Sequence, residues 1–366
     1  MSESLKPVKT TVADVVALVE KLAPPVYALP NDPIGLQVGS RSAVVNKVMV
    51  ALDATPKTVA AASYQNAQLL VTHHPLIFRP LQSISFDDPI GEAVQSLCEH
   101  KIALFSAHTN LDIAPGGVND ALAEALELIE VRQLGGEITP HQYKIVTFIP
   151  EGNASRLIDE MAAVGAGVVG EYKRCAFSQQ GTGTFEAPPD SHPHIGHAGK
   201  RESVSELRIE MAVDEIHLND AIETLKRVHP YEEPPFDVYP LKPMSQMGIG
   251  RIGRLPNPIQ LSEFAKIVGK VLDYEPIRYW GADHTLIRCV AVVGGSGGDY
   301  LAQAKHAGVD VLVTGETRHH HTWEAIARKI ALIDAGHGPT EMPGVKKLAD
   351  YLKEHLEPRQ VTVELI

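Results

Sequence analysis

At 366 residues the chain exceeds one typical hydrophobic core, so two domains are expected. Its 44% apolar content is ordinary for a globular chain, and no stretch approaches the run of about 20 apolar residues that a membrane helix needs. A net charge of −12 argues against a nucleic-acid backbone as the main partner. The three cysteines, Cys98, Cys175 and Cys289, are scattered and form no CxxC pair. They read as small buried hydrophobes of a reducing compartment, not as disulfide or zinc partners. The stretch Met1 to Thr10 has no apolar signal core, which makes the cytoplasm the expected location.

Residues 11–23 place apolar side chains at helical spacing, and Pro24-Pro25 ends that helix. Asn31 to Gly39 is a turn-rich loop entering a short strand. A strand over 47–52 closes on Asp53, and a helix over 58–66 follows. The strand 67–71 then runs into Thr72-His73-His74-Pro75. The β-α-β order implies a parallel sheet. A strand that ends before proline turns out of the sheet edge, where both imidazoles can reach one crevice. Asp53 and Thr72 are expected to support that crevice from strand ends.

A loop over 82–88, a helix over 91–99 and a strand over 102–106 come next. That strand runs into Ala107-His108-Thr109-Asn110-Leu111-Asp112, which puts polar, metal-competent side chains just past the strand's end. A helix is predicted over 118–128. The texture changes over 131–141. Strands at 143–149, 175–178, 183–185, 207–212 and 236–240, with helices at 154–164 and 219–228, give the order of a small ferredoxin-like α+β module. A return linker is expected over 241–250.

The last third resumes the first pattern. Helices are predicted at 262–271, 300–307, 323–328 and 345–355, and strands at 286–293, 309–313, 330–334 and 361–365. The fold class is therefore α/β: a two-part α/β/α sandwich core (1–130 and 246–366) interrupted by an inserted ferredoxin-like domain (131–245).

Reactive residues follow five strands: His73-His74, His108 to Asp112, Gly294 to Gly298, His319 to His321, and His337 to Glu341. Strand ends on one side of a sheet converge, so distant segments can share a crevice. Imidazole plus carboxylate without thiolate suits Zn, Mn, Fe, Co or Ni. A bridging carboxylate with histidines and Asp112 suits two metals about 3.5–4 Å apart. His337 and Glu341 lie around Gly338-Pro339 and read as a loop entering a helix. Gly294 to Gly298 reads either as a phosphate cradle or as tight helix–strand packing. His192, His194 and His197 read as surface histidines of a flexible segment, and Trp280 and Trp323 as core or subunit contacts.

The motifs His73-His74-Pro75, His108-Thr109-Asn110-Leu111-Asp112, Gly116-Gly117-Val118-Asn119-Asp120, Thr314-Gly315-Glu316 and Gly336-His337-Gly338-Pro339-Thr340-Glu341 resemble those of the GTP cyclohydrolase 1 type 2 homologue family. That family is also called NGG-interacting-factor-three-like. Asn31 to Gly39 resembles its N-terminal signature, and the likeness runs from about residue 10 to 366. The middle resembles the PII/CutA-like insert of long bacterial members, carried by Gly181 to Phe185 and His229 to Pro234.

The resemblance implies two divalent ions per subunit. His73 and Asp112 would hold one, His74 and His337 the other, and Glu341 would bridge them. Adjacent strand-end histidines diverge, which suits two ions better than one. His108 and His320 match positions facing the site, as catalytic proton-transfer residues or as hydrogen-bonding support. The implied activity is hydrolysis of a nucleotide or related phosphorylated heterocycle through a metal-bridging hydroxide. The alternative is a non-catalytic metal- or small-ligand-binding regulator. The implied partners are a small-molecule substrate and five further copies in a homohexamer, with no membrane.

Overall fold

The computed structural model describes residues 9–136, 141–242 and 247–366. The N-terminal stretch 1–10, the texture change over 131–141 and the linker over 241–250 fall partly outside these residues. The first stretch holds α1 (Val12–Leu22), β1 (Gly35–Val38), β2 (Lys47–Ala51), α2 (Pro56–Tyr64), β3 (Leu69–Thr72), α3 (Pro89–Glu99), β4 (Ala103–Ser106), α4 (Thr109–Ile113), α5 (Val118–Ala125) and β5 (Ile129–Leu134). The middle holds β6 (Gln142–Ile149), α6 (Glu151–Ala163), β7 (Phe177–Glu186), β8 (Arg201–Asp214), α7 (Glu215–Val228) and β9 (Phe236–Leu241). The last stretch holds β10 (Gly250–Gln260), α8 (Leu261–Val271), β11 (Arg278–Trp280), β12 (Leu286–Val293), α9 (Leu301–His306), β13 (Val311–Thr314), α10 (His319–Arg328), β14 (Ala331–Asp334), α11 (His337–Leu356) and β15 (Thr362–Leu365).

Local chemistry sets the helix starts. Thr11 and Asp14 form a reciprocal capping box on α1. Thr55 and Asp88 cap α2 and α3, each followed by a proline at the first helical position. The central strands β3 and β13 are buried along their whole length, as parallel strands covered on both faces must be.

The chain divides into two compact units, residues 1–138 with 247–366, and residues 139–246. The first unit contains two sheets, not one. One has the order β1-β4-β3-β2-β15, the other β11-β14-β13-β12-β10-β5. Both are mixed: β15, β2, β3 and β4 run parallel, as do β12, β13 and β14, while β1, β11, β10 and β5 pair antiparallel. Each sheet has an apolar cluster on each face. Residues of α1 and α11 cover one face of the first sheet, and those of α2 and α3 the other.

The two chain stretches exchange elements. β15 from the C-terminal stretch completes the first sheet, and β5 from the N-terminal stretch pairs with β10 in the second. The expected boundary at 130/131 therefore falls inside β5. Neither β5 nor β10 is expected from pattern: β5 is short and largely exposed, and the glycine, arginine and proline residues of β10 hide its alternation. Arg251 on β10 is buried and saturates its guanidinium. It pairs with Asp120 at 2.5 and 3.1 Å, and donates to the carbonyls of Ile113 and Ala114 at 3.0 and 3.3 Å and of Gly248 at 2.9 Å. Replacing Arg251 with Met strands a carboxylate and several carbonyls. We expect a loss of about 3–5 kcal/mol in denaturant unfolding.

The second unit orders its strands β7-β8-β6-β9, all antiparallel, with α6 and α7 as crossovers. This is the split β-α-β arrangement of ferredoxin-like modules. β7 is one continuous strand, where composition suggests two short ones, because Gly181 and Gly183 pair in register with Glu206 and Val204.

Candidate metal centre

Residues from both stretches of the first unit meet at the carboxyl ends of its parallel strands. His73 and His74 follow β3, and His108 follows β4. Asp112 lies just past β4 as expected, on the short helix α4, buried at 7% exposure. His337 and Glu341 are not in a loop: they form the first turns of α11. Gly338 and Pro339 look like helix breakers, yet they sit where backbone N–H groups have no intrahelical acceptor. The first helical bond runs from Thr340 N to Gly336 O. The i,i+4 spacing then puts His337 and Glu341 on one face, with His337 Nε2 3.2 Å from Glu341 Oε1.

The four histidines share one arrangement. Each Nδ1 meets an oxygen acceptor: Ala107 O at 2.9 Å for His73, Asp53 at 2.8 Å for His74, Asp32 at 2.8 Å for His108 and Glu316 at 3.2 Å for His337. An acceptor at Nδ1 fixes the proton there and frees the Nε2 lone pair, the pattern of metal-ligating histidines. The His73, His74 and His337 Nε2 atoms lie 3.7, 3.1 and 3.2 Å from Glu341 oxygens, and His73 Nε2 lies 3.6 Å from Asp112 Oδ1. Potential ligand atoms of His73, His74 and His108 fall within 4.8 Å of one another, as do those of His74, His337 and Glu341.

Four buried atoms here have no hydrogen-bond partner: His73 Nε2, His74 Nε2, Asp112 Oδ1 and Glu341 Oε2. The His74–Glu341 approach is short but off the hydrogen-bond direction. Each such atom left bare costs about 1–3 kcal/mol. Divalent ions among them would satisfy all four, and imidazole with carboxylate is the matching donor set. The residues present fit a metal centre.

Electrostatics agree. Burial opposes charge on His74, but the carboxylates of Asp53 and Glu341 outweigh it and push its pKa up to about 10. Burial likewise opposes charge on His73, and the carboxylates of Asp112 and Glu341 raise its pKa nonetheless. Glu341 itself raises the pKa of His337 by hydrogen bonding. Burial opposes charge on Glu341, yet His337, His73 and His74 hold it well below the usual carboxylate range. Ligation needs neutral imidazole, so metal uptake at neutral pH must expel ring protons. We expect affinity to fall as pH falls, by up to about tenfold per pH unit for each proton displaced. Calorimetry in buffers of different ionisation heat reads the protons released. Buffer-independent heats would contradict this.

Further contacts support the centre, and the one between Asn119 and Gly294 joins the two stretches. The Thr72 hydroxyl donates to His74 O at 2.8 Å. Asn119 donates to Asp112 O at 3.3 Å and accepts from Gly294 N at 2.8 Å. The Gly294–Gly298 loop spends its N–H groups on side chains: Gly295 on Thr340 and Gly297 on Thr314. That favours its packing role over a phosphate cradle. Gly295 has φ +62°, and a Cβ there would come within 2.3 Å of Glu341 Oε1. Sequence reasoning assigns Asp32 and Glu316 no role. Their only signal is membership of the Asn31 to Gly39 and Thr314-Gly315-Glu316 motifs.

The structure does not group His320 with Glu341. His319–His321 open α10 instead of forming a strand-end loop. His320 is exposed and joins Asp299 and His321. Both His321 nitrogens are taken, Nδ1 by Arg318 N at 3.1 Å and Nε2 by Asp299 at 3.0 Å, so that ring caps its helix. His319 Nε2 accepts from the Trp323 indole at 2.9 Å. His192, His194 and His197 enter no metal-competent group among the described residues.

Residues 10–366 match the family model described as Duf34/NIF3 (NGG1p interacting factor 3). The chain belongs to this family. A "GTP cyclohydrolase 1 type 2 homolog" of Halalkalibacterium halodurans is 39% identical over 344 residues, covering 93% of this chain and 92% of that protein. Its Bacillus subtilis namesake is 38% identical over 324 residues, covering 88% and 87%. The crystal structure of a Bacillus cereus protein related to NIF3 superposes with a TM-score of 0.90 at 34% identity, covering 99% of this chain and 97% of that one. Among the described residues of this Duf34/NIF3 member, no helix is long and apolar enough to cross a membrane.

Proposed function

We propose that this chain is a dinuclear metal-dependent hydrolase acting on a nucleotide or a related phosphorylated heterocycle. The observation that carries the reading is the set of histidines whose Nδ1 atoms are held by oxygen acceptors while Nε2 atoms turn toward Glu341. His73 and Asp112 would hold one ion, His74 and His337 the other, with Glu341 between them. Two such ions supply Lewis-acid activation of water at neutral pH. His108, its Nδ1–H held by Asp32, has Nε2 free to accept or return a proton. His320 sits in a different group, so we give the proton-transfer role to His108 alone. The nucleotide class rests on the printed name of the relatives. From the resemblance of its motifs to the family's we also read the inserted unit as PII/CutA-like and the protein as a cytoplasmic homohexamer.

The test is turnover of nucleotides and simple phosphoesters by protein loaded with Mn, Fe, Co or Zn. His74→Ala and Glu341→Ala should lose at least about a hundredfold in rate. Undiminished turnover in both variants would remove catalysis from this centre.

One observation favours the regulatory reading. The inserted unit contains a cavity of 1040 Å³ lined by Phe148, Phe185, Glu206, Arg208 and Tyr231 among others. A metabolite bound there and recovered unchanged would support sensing.

A further inference from the structure

The rings of the metal centre pack mainly on one another. His73 lies 4.9 Å from His74 and 5.3 Å from His108, and His74 lies 5.2 Å from His337, centroid to centroid. A carbocyclic ring, that of Phe78, joins them. Phe78 meets His108 edge-on at 6.2 Å and an interplanar angle of 82°, yet stays 59% exposed. We propose that Phe78 is the residue on which the substrate's planar heteroaromatic ring stacks, a specificity role within the hydrolase reading of the same site.

Three observations carry this. First, position: Phe78 touches His108, whose ligand-competent nitrogen lies within 4.8 Å of those of His73 and His74, so a ring against Phe78 stands beside the reacting centre. Second, preorganisation: the backbone beneath Phe78 is clasped. Gln37 accepts from Ile77 N at 3.0 Å and donates to Ile77 O at 3.4 Å and to Pro33 O at 2.9 Å. The same amide thus ties the phenylalanine's loop to the loop of Asp32, which orients His108. Third, chemistry: the ligand side chains themselves are imidazole and carboxylate, which can hold ions and phosphate-bound metal, whereas Phe78 adds a carbocyclic ring in contact with them. Phe86 on the same loop is also exposed, at 57%, but has no ring contact with the histidines among the described residues.

An exposed aromatic face of this kind takes any heteroaromatic ring, because stacking is tolerant of ring identity. Edge-on and offset contacts are the favoured aromatic geometries. Phe78 therefore selects bases over sugars without selecting guanine over adenine.

The test uses full-length protein and binding, not turnover. Phe78→Trp places a fluorophore at the position, and wild-type protein corrects for Trp280 and Trp323. Guanosine and adenosine monophosphates should quench the emission of the introduced indole saturably, and ribose 5-phosphate should not. By calorimetry, Phe78→Leu should bind both mononucleotides about tenfold more weakly with ribose 5-phosphate affinity unaltered. Bound metal, measured in each variant, verifies an intact centre. Equal losses for mononucleotide and ribose phosphate, no loss for either, or no mononucleotide binding by wild type would each overturn the proposal. Mononucleotides that bind through Phe78 but are never turned over would leave stacking standing and remove the hydrolase reading. Turnover of a nucleotide at a rate and KM indifferent to Phe78 would do the reverse.

Discussion

Replacing Glu341 with alanine should strip the protein of both ions. Its carboxylate is nine-tenths buried or more, at 3% residue exposure, and stands within 3.1–3.7 Å of three imidazole nitrogens from two chain segments. No other carboxylate approaches all three among the described residues. Losing an outer partner of a metal ligand typically costs 10–100-fold in affinity, so losing the shared ligand should cost more than about a hundredfold. Glu341→Gln keeps the volume but offers only a neutral amide, and should fail nearly as badly. Asp53→Asn, which disturbs only the far side of His74, marks the weaker effect for comparison. Metal content of dialysed protein checks the order. Two ions retained in Glu341→Ala would sink the bridging assignment.

The second large effect concerns assembly of the centre from the chain. The fragments 1–130 and 245–366 should each hold no ion pair, because the first lacks His337 and Glu341, the second lacks His73, His74 and Asp112, and each lacks part of its core. The first loses α11, whose Val345, Leu348, Ala349, Leu352 and Leu356 are buried against its sheet, together with β15. The second loses β5 and the α5 side chains Leu122, Ala123 and Leu126 that cover its sheet. Removing the insert has the opposite outcome. Leu134 on β5 and Gly250 on β10 are register partners in an antiparallel pair, and Gly248 N donates to Gln133 at 2.7 Å. A hairpin can therefore close the gap. Replacing residues 137–247 with a Gly/Ser linker of about four residues should leave metal content at its full-length value. Fragments that bind a full pair, or an excised protein that binds none, would contradict this account.

Much of the core was legible because buried parallel strands are short unbroken apolar runs. Leu69–Thr72, Ala103–Ser106 and Val311–Thr314 announced themselves, and with them the crevice at their ends. β10 did not, since the glycines, arginines and prolines of Gly250 to Pro258 show no strand pattern until Arg251 is seen buried against Asp120. The early start of α11 was hidden for a related reason: Gly338 and Pro339 are tolerated in its first turn, and the helix continues through Pro343 although proline ordinarily breaks a helix interior. The ligand histidines were readable as adjacent or motif-borne residues. Of the acids that orient them, Asp53 is readable at the end of its strand, but Asp32 and Glu316 are not. Asp32 lies 76 residues from His108 in sequence and Glu316 lies 21 from His337, and an isolated carboxylate in a turn has no periodicity to betray its partner. Nor does composition reveal that the first unit holds two sheets, since strand exchange between distant segments leaves no local mark.

The central claim is a pair of ions held through Glu341. The most direct measurement is elemental analysis of full-length protein purified without chelator, combined with anomalous diffraction at the metal edges. The account predicts two first-row divalent ions per chain, about 3.5–4 Å apart, on either side of the Glu341 carboxylate. Protein that carries no ion there, or a single ion that Glu341→Ala retains, would contradict it.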